Sequence, residues 1–249
     1  MEGVEASAPE SVRKTLVTEN RIGREFYDDT DYFDGNAGHI VDFQSDFQRY
    51  RVAKVLELFE PGPDARLVDL GCGWGTFCFA LGHRVREMVG VDFSERSVAL
   101  CNAGLENRDL PGVRFVRADA RETGLEDAGF DLVIAADLVE HLYPEDTAAV
   151  LAECHRILKP GGRISIWTPH RGHVLEILKN RNIILKRDVS HVDYKSLDGL
   201  KRLLDEAGFL VEKAYYAESH VPGLASIEKA FLKWVPLLRR RIGVLARKD

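Results

Sequence analysis

The run Val68-Asp69-Leu70-Gly71-Cys72-Gly73-Trp74-Gly75-Thr76 constrains this chain more than any other feature. An apolar strand ends in a cluster of glycines, and a helix begins directly after it. Glycine has no Cβ, so the backbone there can take left-handed torsions and lie close against a ligand. A helix that starts after such a turn presents unpaired N–H groups, which suit a carboxylate or a phosphate. The next strand ends in Asp92, 21 residues after Gly71. An acid at that place can accept hydrogen bonds from both hydroxyls of a ribose. Its plainer role is to flank the helix that Ser94 caps.

The same rhythm continues down the chain. Arg66–Leu70, Met88–Asp92, Val113–Arg117, Phe130–Ala136, Arg163–Thr168 and Phe209–Ala217 read as strands. Thr76–Arg84, Ser94–Asn107, Pro144–Leu158 and Ser196–Ala207 read as the helices between them, with a turn at Pro160-Gly161-Gly162 and a stop at Gly208. Strand and helix alternating at this spacing predict a doubly wound α/β domain with a mostly parallel sheet. Phe130–Ala136 is apolar throughout, as in a strand buried on both faces. Upstream, helices are expected over Ser11–Tyr27 and Ser45–Phe59, with a polar, aromatic loop over Asp28–Asn36 between them. Downstream, Ile227–Leu238 reads as a helix despite Pro236, and Ile242–Ala246 as a final strand. Residues 1–44 are therefore read as an N-terminal extension and lid, and 45–249 as one domain. Within that domain 169–195 fits no step of the rhythm and is read as a substrate-side insertion.

Charge narrows the partners. The net charge is −6, yet the stretch from Ile227 to Asp249 carries seven Lys or Arg against two acids. The body is acidic, which argues against a nucleic-acid partner. No apolar run is long enough to span a bilayer, and Met1–Glu10 is acidic without an apolar core, so a cytoplasmic protein is expected. Cys72, Cys78, Cys101 and Cys154 form no CxxC pair or zinc pattern and read as reduced thiols.

Two cofactor types suit a glycine turn followed by an acid. A dinucleotide fingerprint needs a third glycine where this chain has Thr76, and Asp69 at the strand end would repel a pyrophosphate. The same acid suits an ammonium. Asp69-Leu70-Gly71-Cys72-Gly73-Trp74-Gly75 resembles motif I of the class I S-adenosylmethionine (SAM)-dependent methyltransferases. Asp92 matches their ribose-binding acid, and Arg117-Ala118-Asp119-Ala120 resembles the adenine motif. Phe130 to Leu142 resembles their strand-four motif, and Leu158-Lys159-Pro160-Gly161-Gly162-Arg163 the turn before strand five. The likeness runs in order over about residues 45–215 and is nearest to the ubiquinone and menaquinone methyltransferases. It implies a Rossmann-like, seven-stranded sheet with the last strand antiparallel and helices on both faces. It implies SAM as cofactor, S-adenosylhomocysteine as product and a small-molecule acceptor. It also implies cofactor contacts at Asp69, Gly71, Cys72, Gly73, Asp92, Phe93, Asp119, Ala120, Asp137 and Leu138. A catalytically silent SAM-binding regulatory protein and an NAD-linked oxidoreductase are the alternative readings.

His141 follows strand four, where the methyl group should point, and reads as a general base; capping the next helix or lining the cofactor pocket is its plainer role. Asp137 is four residues earlier and would share a helical face with it, orienting the imidazole. Arg51 is a candidate partner for the methionine carboxylate, or a solvated residue on its helix. Tyr27 and Tyr32 lie in a loop of the kind that closes over SAM. His170, His173, His191 and Tyr194 are candidate acceptor contacts. Their spacing is no recognised ligand pattern, and clustered carboxylates are absent, so no metal is expected. In the tail, Ile227, Phe231, Trp234, Val235 and Leu238 recur at helical spacing beside Lys229 and Lys233. A core helix leading into the last strand is the favoured reading, with peripheral membrane contact through 227–241 as the other.

Overall fold

Short apolar strands separated by amphipathic helices bury their surface by forming one sheet with helices on its two faces. The computed structural model, which describes residues 17–18, 21–23, 26, 45–183, 188–221 and 223–249, takes that form. In chain order the elements are β1 Val17–Thr18, β2 Arg21–Ile22, α1 Asp46–Leu56, β3 Arg66–Leu70, α2 Thr76–Leu81, β4 Glu87–Asp92, α3 Glu95–Glu106, β5 Val113–Arg117 and β6 Phe130–Ala136. They continue with α4 Pro144–Ile157, β7 Leu158–Pro169, α5 Val174–Asn180, α6 Leu197–Glu206, β8 Phe209–Ala217, α7 Leu224–Phe231 and β9 Arg241–Lys248. The main sheet has seven strands in the order β5-β4-β3-β6-β7-β9-β8. Only β9 runs antiparallel to its neighbours, pairing Ile166 with Val244 and Ala214 with Val244. The Rossmann-like sheet with an antiparallel last strand is as expected.

The core lies on both faces of this sheet. Val68, Val133, Ile164 and Val244 pack under Leu151, Ile157, Leu200 and Leu204 from α4 and α6. Leu67, Ile134 and Trp167 pack under Val55, Phe77 and Leu81 from α1 and α2. Each such side chain contributes about 1.5–3 kcal/mol when fully buried. Helix starts follow local chemistry: the hydroxyls of Ser94 and Ser196 accept the amides of Ser97 and Gly199, each at 3.1 Å.

Several expected boundaries differ. Within the expected Ser11–Tyr27 helix, Val17–Thr18 instead pairs antiparallel with Arg21–Ile22, in keeping with the β-branched side chains there. The expected turn at Pro160-Gly161-Gly162 is part of β7, which starts at Leu158 opposite Phe130. The register shifts before Leu132, and Gly161 takes φ +73°. The 169–195 segment holds the unforeseen helix α5, whose Leu175 amide donates to the His173 side chain.

The tail corrects the favoured reading most. Its helix is α7, and the chain turns before Pro236, which has no N–H to continue it. Ile227, Phe231, Trp234, Val235 and Leu237 are exposed, Trp234 by 74%, so this is no core helix. Among the described residues, no helix is long and apolar enough to cross a membrane. Tyr27 and Tyr32 lie outside the described residues.

Candidate functional site

A cavity of about 820 Å³ opens at the carboxyl ends of β3, β4 and β6, where ligands bind in doubly wound sheets. At its first end the chain leaves β3 through Gly71, Gly73 and Gly75, all with positive φ. Gly71 takes φ +71°, which strains any side chain, and a Cβ there would also press on Leu138 Cδ1 at 2.9 Å. The turn folds back onto β4: the amides of Gly71 and Cys72 donate to Val91 O at 2.8 and 3.0 Å. Asp92 faces the cavity with its carboxylate fixed by two amides, Gly73 N at 2.9 Å and Ser94 N at 3.0 Å. Each oxygen can accept a second hydrogen bond, as a ribose diol requires. Phe93, Asp119 and Ala120 line the same end. The Asp119 carboxyl is held below the usual range by the Arg121 side chain, which donates to it at 2.7 and 2.9 Å. Arg21, Ile22 and Gly23 also border the cavity; Arg21 pairs with Asp146 at 2.7 Å and lies over the Tyr143 ring.

Asp69 departs from its expected role. It is 2% exposed and is not on the cavity wall. It points between β3 and α2, with Cys78 Sγ 3.8 Å from Oδ2, and burial pushes its carboxyl up to about 7. Such an acid supports the turn from behind.

The second end is made of charge. Asp137 ends β6 with φ +55°, a left-handed conformation that aspartate tolerates better than most side chains. Its carboxylate lies between two arginines, Arg51 Nε at 2.7 Å and Arg241. Burial would raise its pKa, but Arg241 and Arg51 hold it down at about 2. Arg51 is itself buried and donates to Ala136 O at 2.7 Å, so its guanidinium is bound into this network as well as bordering the cavity. The carboxylate expected to orient His141 is thus gripped by arginines. His141 Nδ1 lies 3.0 Å from Ser190 O instead, which makes that carbonyl its orienting partner. Burial lowers the His141 pKa.

Next to it, Glu140 is 1% exposed. Its Oε2 accepts from Thr168 Oγ1 at 3.0 Å, and burial together with the charge of Asp137 raises its pKa to about 8. The backbone carbonyl of Glu140 accepts the amides of Val192 and Asp193, which brings the 188–193 segment against the end of β6. His191 arrives that way. Its ring meets His141 edge-on with centroids 4.8 Å apart, and burial and His141 lower its pKa to about 3.

The other expected acceptor contacts sit off the wall. His173 is fully buried, with Nε2 3.1 Å from Glu228 Oε1, and serves α5 and α7. His170 packs on Tyr216 with Nδ1 3.1 Å from Arg239 O. Tyr194 stands behind His191, donating to Glu176 at 3.0 Å. Conversely, Arg240 and Arg241 border the cavity, paired with Glu176 and Asp137. Nothing in the sequence marks them as cavity residues; they stand at and just before the start of β9, whose pairing with β7 brings them to the cavity.

The comparisons with known proteins fit this geometry. Residues 68–166 match a family described as "Methyltransferase domain". A "Probable S-adenosylmethionine-dependent methyltransferase" of Mycolicibacterium smegmatis is 30% identical over 65% of this chain and 58% of its own length. Over residues 68–166 the chain carries a methyltransferase domain, and it is similar to SAM-dependent methyltransferases. The nocamycin O-methyltransferase of Saccharothrix syringae is 33% identical over 55% of this chain and 49% of its own. A solved SAM-dependent methyltransferase from Archaeoglobus fulgidus shares the fold, with a TM-score of 0.62 and 23% identity over 80% of this chain and 92% of its own. The chain spans less than two thirds of the length of the curated relatives reported. The cofactor of this methyltransferase domain is SAM, and the first end of the cavity fits it: a glycine turn with positive φ at Gly71, Gly73 and Gly75, and an acid held by two amides with capacity for a diol. The NAD-linked reading is set aside.

Proposed function

We propose that this chain transfers the methyl group of SAM to an oxygen of a small-molecule acceptor seated at the His141 end of the cavity. Bound SAM supplies a methyl group on a positively charged sulfur, which leaves as a neutral thioether. The chain's own work is to position and to remove a proton. Gly71, Gly73 and Leu138 shape the cradle, Asp92 takes the ribose, and Phe93, Asp119 and Ala120 border the adenine. Positioning alone is worth roughly 7–11 kcal/mol of barrier in favourable cases. His141 offers the proton acceptor: with Nδ1 donating to Ser190 O, its Nε2 carries the lone pair. Asp137 is a positioning residue that holds Arg51 and Arg241 beside it.

The observation that carries this reading is one cavity with a cofactor cradle at one end and, at the other, His141 and His191, whose pKa values burial lowers. The named activity of the S. syringae relative favours oxygen as the acceptor atom. The four cysteines are buried and unpaired, which supports a reduced, cytoplasmic setting. The exposed apolar residues of 227–237 with Lys229 and Lys233 support peripheral contact with a membrane surface. The test is a screen of hydroxylated small molecules for S-adenosylhomocysteine release. Release that depends on acceptor and falls in His141→Ala supports the proposal. SAM binding without release from any acceptor would favour the silent regulatory reading.

A further inference from the structure

The acceptor end contains an arrangement that proton transfer alone does not use. One ligand atom from each of Glu140, His141 and His191 lies within 4.8 Å of the other two, and all three residues border the cavity. The hydrogen bonds around the rings fix their tautomers. His141 Nδ1 faces a carbonyl oxygen at 3.0 Å and must carry the proton. His191 Nδ1 lies 2.7 Å from the Tyr194 hydroxyl, which gives its own proton to Glu176 at 3.0 Å, so this Nδ1 is also the donor. In both neutral rings Nε2 is then the unprotonated nitrogen. An imidazole whose far N–H is tied to a carbonyl, or through a hydroxyl to a carboxylate, is the usual state of a metal-ligating histidine.

The third member adds an independent observation. Glu140 is 1% exposed, and its Oε1 is buried with no hydrogen-bond partner, while Oε2 accepts from Thr168. A buried carboxyl oxygen without a partner is costly, and a cation would satisfy it. Asp188 Oδ2 adds negative charge 3.6 Å from His191 Nε2.

We propose that Glu140, His141 and His191 hold a divalent first-row transition cation at the acceptor end. Two imidazoles and one carboxylate suit Zn²⁺, Mn²⁺ or Fe²⁺ better than Mg²⁺, which takes oxygen ligands. The ligand atoms, within 4.8 Å of one another, would have to draw in to make ligand bonds of about 2.0–2.2 Å. Three protein ligands leave coordination open toward the cavity for an acceptor hydroxyl, whose pKa the cation would lower. The placing of the acceptor rests on the methyl-transfer reading, and His141 becomes a ligand to the cation in place of a free base. Spacing in sequence hid the site, because His191 reaches His141 only through the bonds to the Glu140 carbonyl.

The test strips purified full-length protein with EDTA, loads it with ZnCl₂, desalts it and counts zinc by plasma mass spectrometry. Calorimetry with ZnCl₂ runs alongside. About one zinc per chain is expected, with affinity at least about tenfold weaker in His191→Ala and Glu140→Gln. S-adenosylhomocysteine binding in both variants, read at the other end of the cavity, stays within about twofold of the parent and shows that they are folded. If Glu140→Gln fails to fold, His191→Ala decides alone. No retained zinc would overturn the proposal. So would zinc binding untouched in the variants, as attachment to the buried thiols would give. So would MgCl₂ binding as tightly as ZnCl₂. If zinc binding is lost in His191→Ala but the parent binds no S-adenosylhomocysteine, the cation site stands and the methyl-transfer reading falls.

Discussion

At one end of the cavity, Gly71, Gly73 and Asp92 come from two adjacent strands and meet through backbone amides. At the other, Asp137 and Arg241 are 104 positions apart and meet through side chains. The first end is local, built on the glycine turn and on Asp92 held by backbone amides, with its other charges in short-range pairs such as Asp119 with Arg121. The second is assembled from β6, α5, the 188–193 segment and the start of β9, and depends on balancing buried charges. A cofactor common to a family needs the first kind of construction. An acceptor that differs between relatives needs the second, where one altered side chain changes what fits.

The contrast predicts where the protein is fragile. Arg241→Ala leaves the half-buried Asp137 with one of its two arginines and should cost about 3 kcal/mol of stability in urea unfolding. Arg117→Ala, which breaks the exposed pair with Glu95, should cost less than about 1 kcal/mol. Equal losses would mean that the buried network has no special weight.

His141→Ala should separate the two ends by function. Turnover should fall by about 100-fold or more, with S-adenosylhomocysteine affinity unchanged. A parallel loss of cofactor affinity would mean that the ends are one unit.

The two buried aspartates should respond to pH in opposite senses. The Asp69 carboxyl is raised to about 7 by burial, so its charge opposes folding, and the parent loses stability from this group as pH rises from about 4 toward 7. Asp69→Asn should therefore gain on the parent over that window, by on the order of 1–2 kcal/mol. Asp137 is held near 2 by Arg241 and Arg51 against its burial, so it stabilises above about pH 4 and that contribution fades as pH falls toward 2. Asp137→Asn should lose ground on the parent as pH rises from about 2 to 4. Same-signed responses would contradict the assignment of the two environments.

The smallest effect belongs outside both ends. Trp234→Ala removes an exposed ring and should shift stability by less than about 0.5 kcal/mol. It should leave cofactor binding intact and weaken adsorption to anionic lipid vesicles.

Legibility in the sequence follows the same divide. The glycine turn, Asp92 and the succession of strands along the chain could be read because each rests on neighbours a few positions away. Asp69 was readable as a strand-end acid, but not that its side chain faces α2, since that depends on which face of β3 the helix covers. His173 looked like an acceptor contact because its partner Glu228 is 55 positions away. Arg240 and Arg241 carry no signal in the sequence, because only the pairing of β9 with β7 brings the chain there to the cavity. The exposed face of 227–237 was taken for core because periodicity reports amphipathicity and says nothing about what covers the apolar side.

The account depends first on the cofactor cradle, and calorimetry tests it most directly. SAM and S-adenosylhomocysteine are titrated into the parent and into Asp92→Ala, with NAD in parallel. Micromolar binding of both adenosyl ligands is expected, weakened at least about tenfold by the loss of one or two charge-assisted hydrogen bonds, with no NAD binding. Affinity for S-adenosylhomocysteine that is equal in the parent and Asp92→Ala would contradict the placement of the cofactor at the glycine turn.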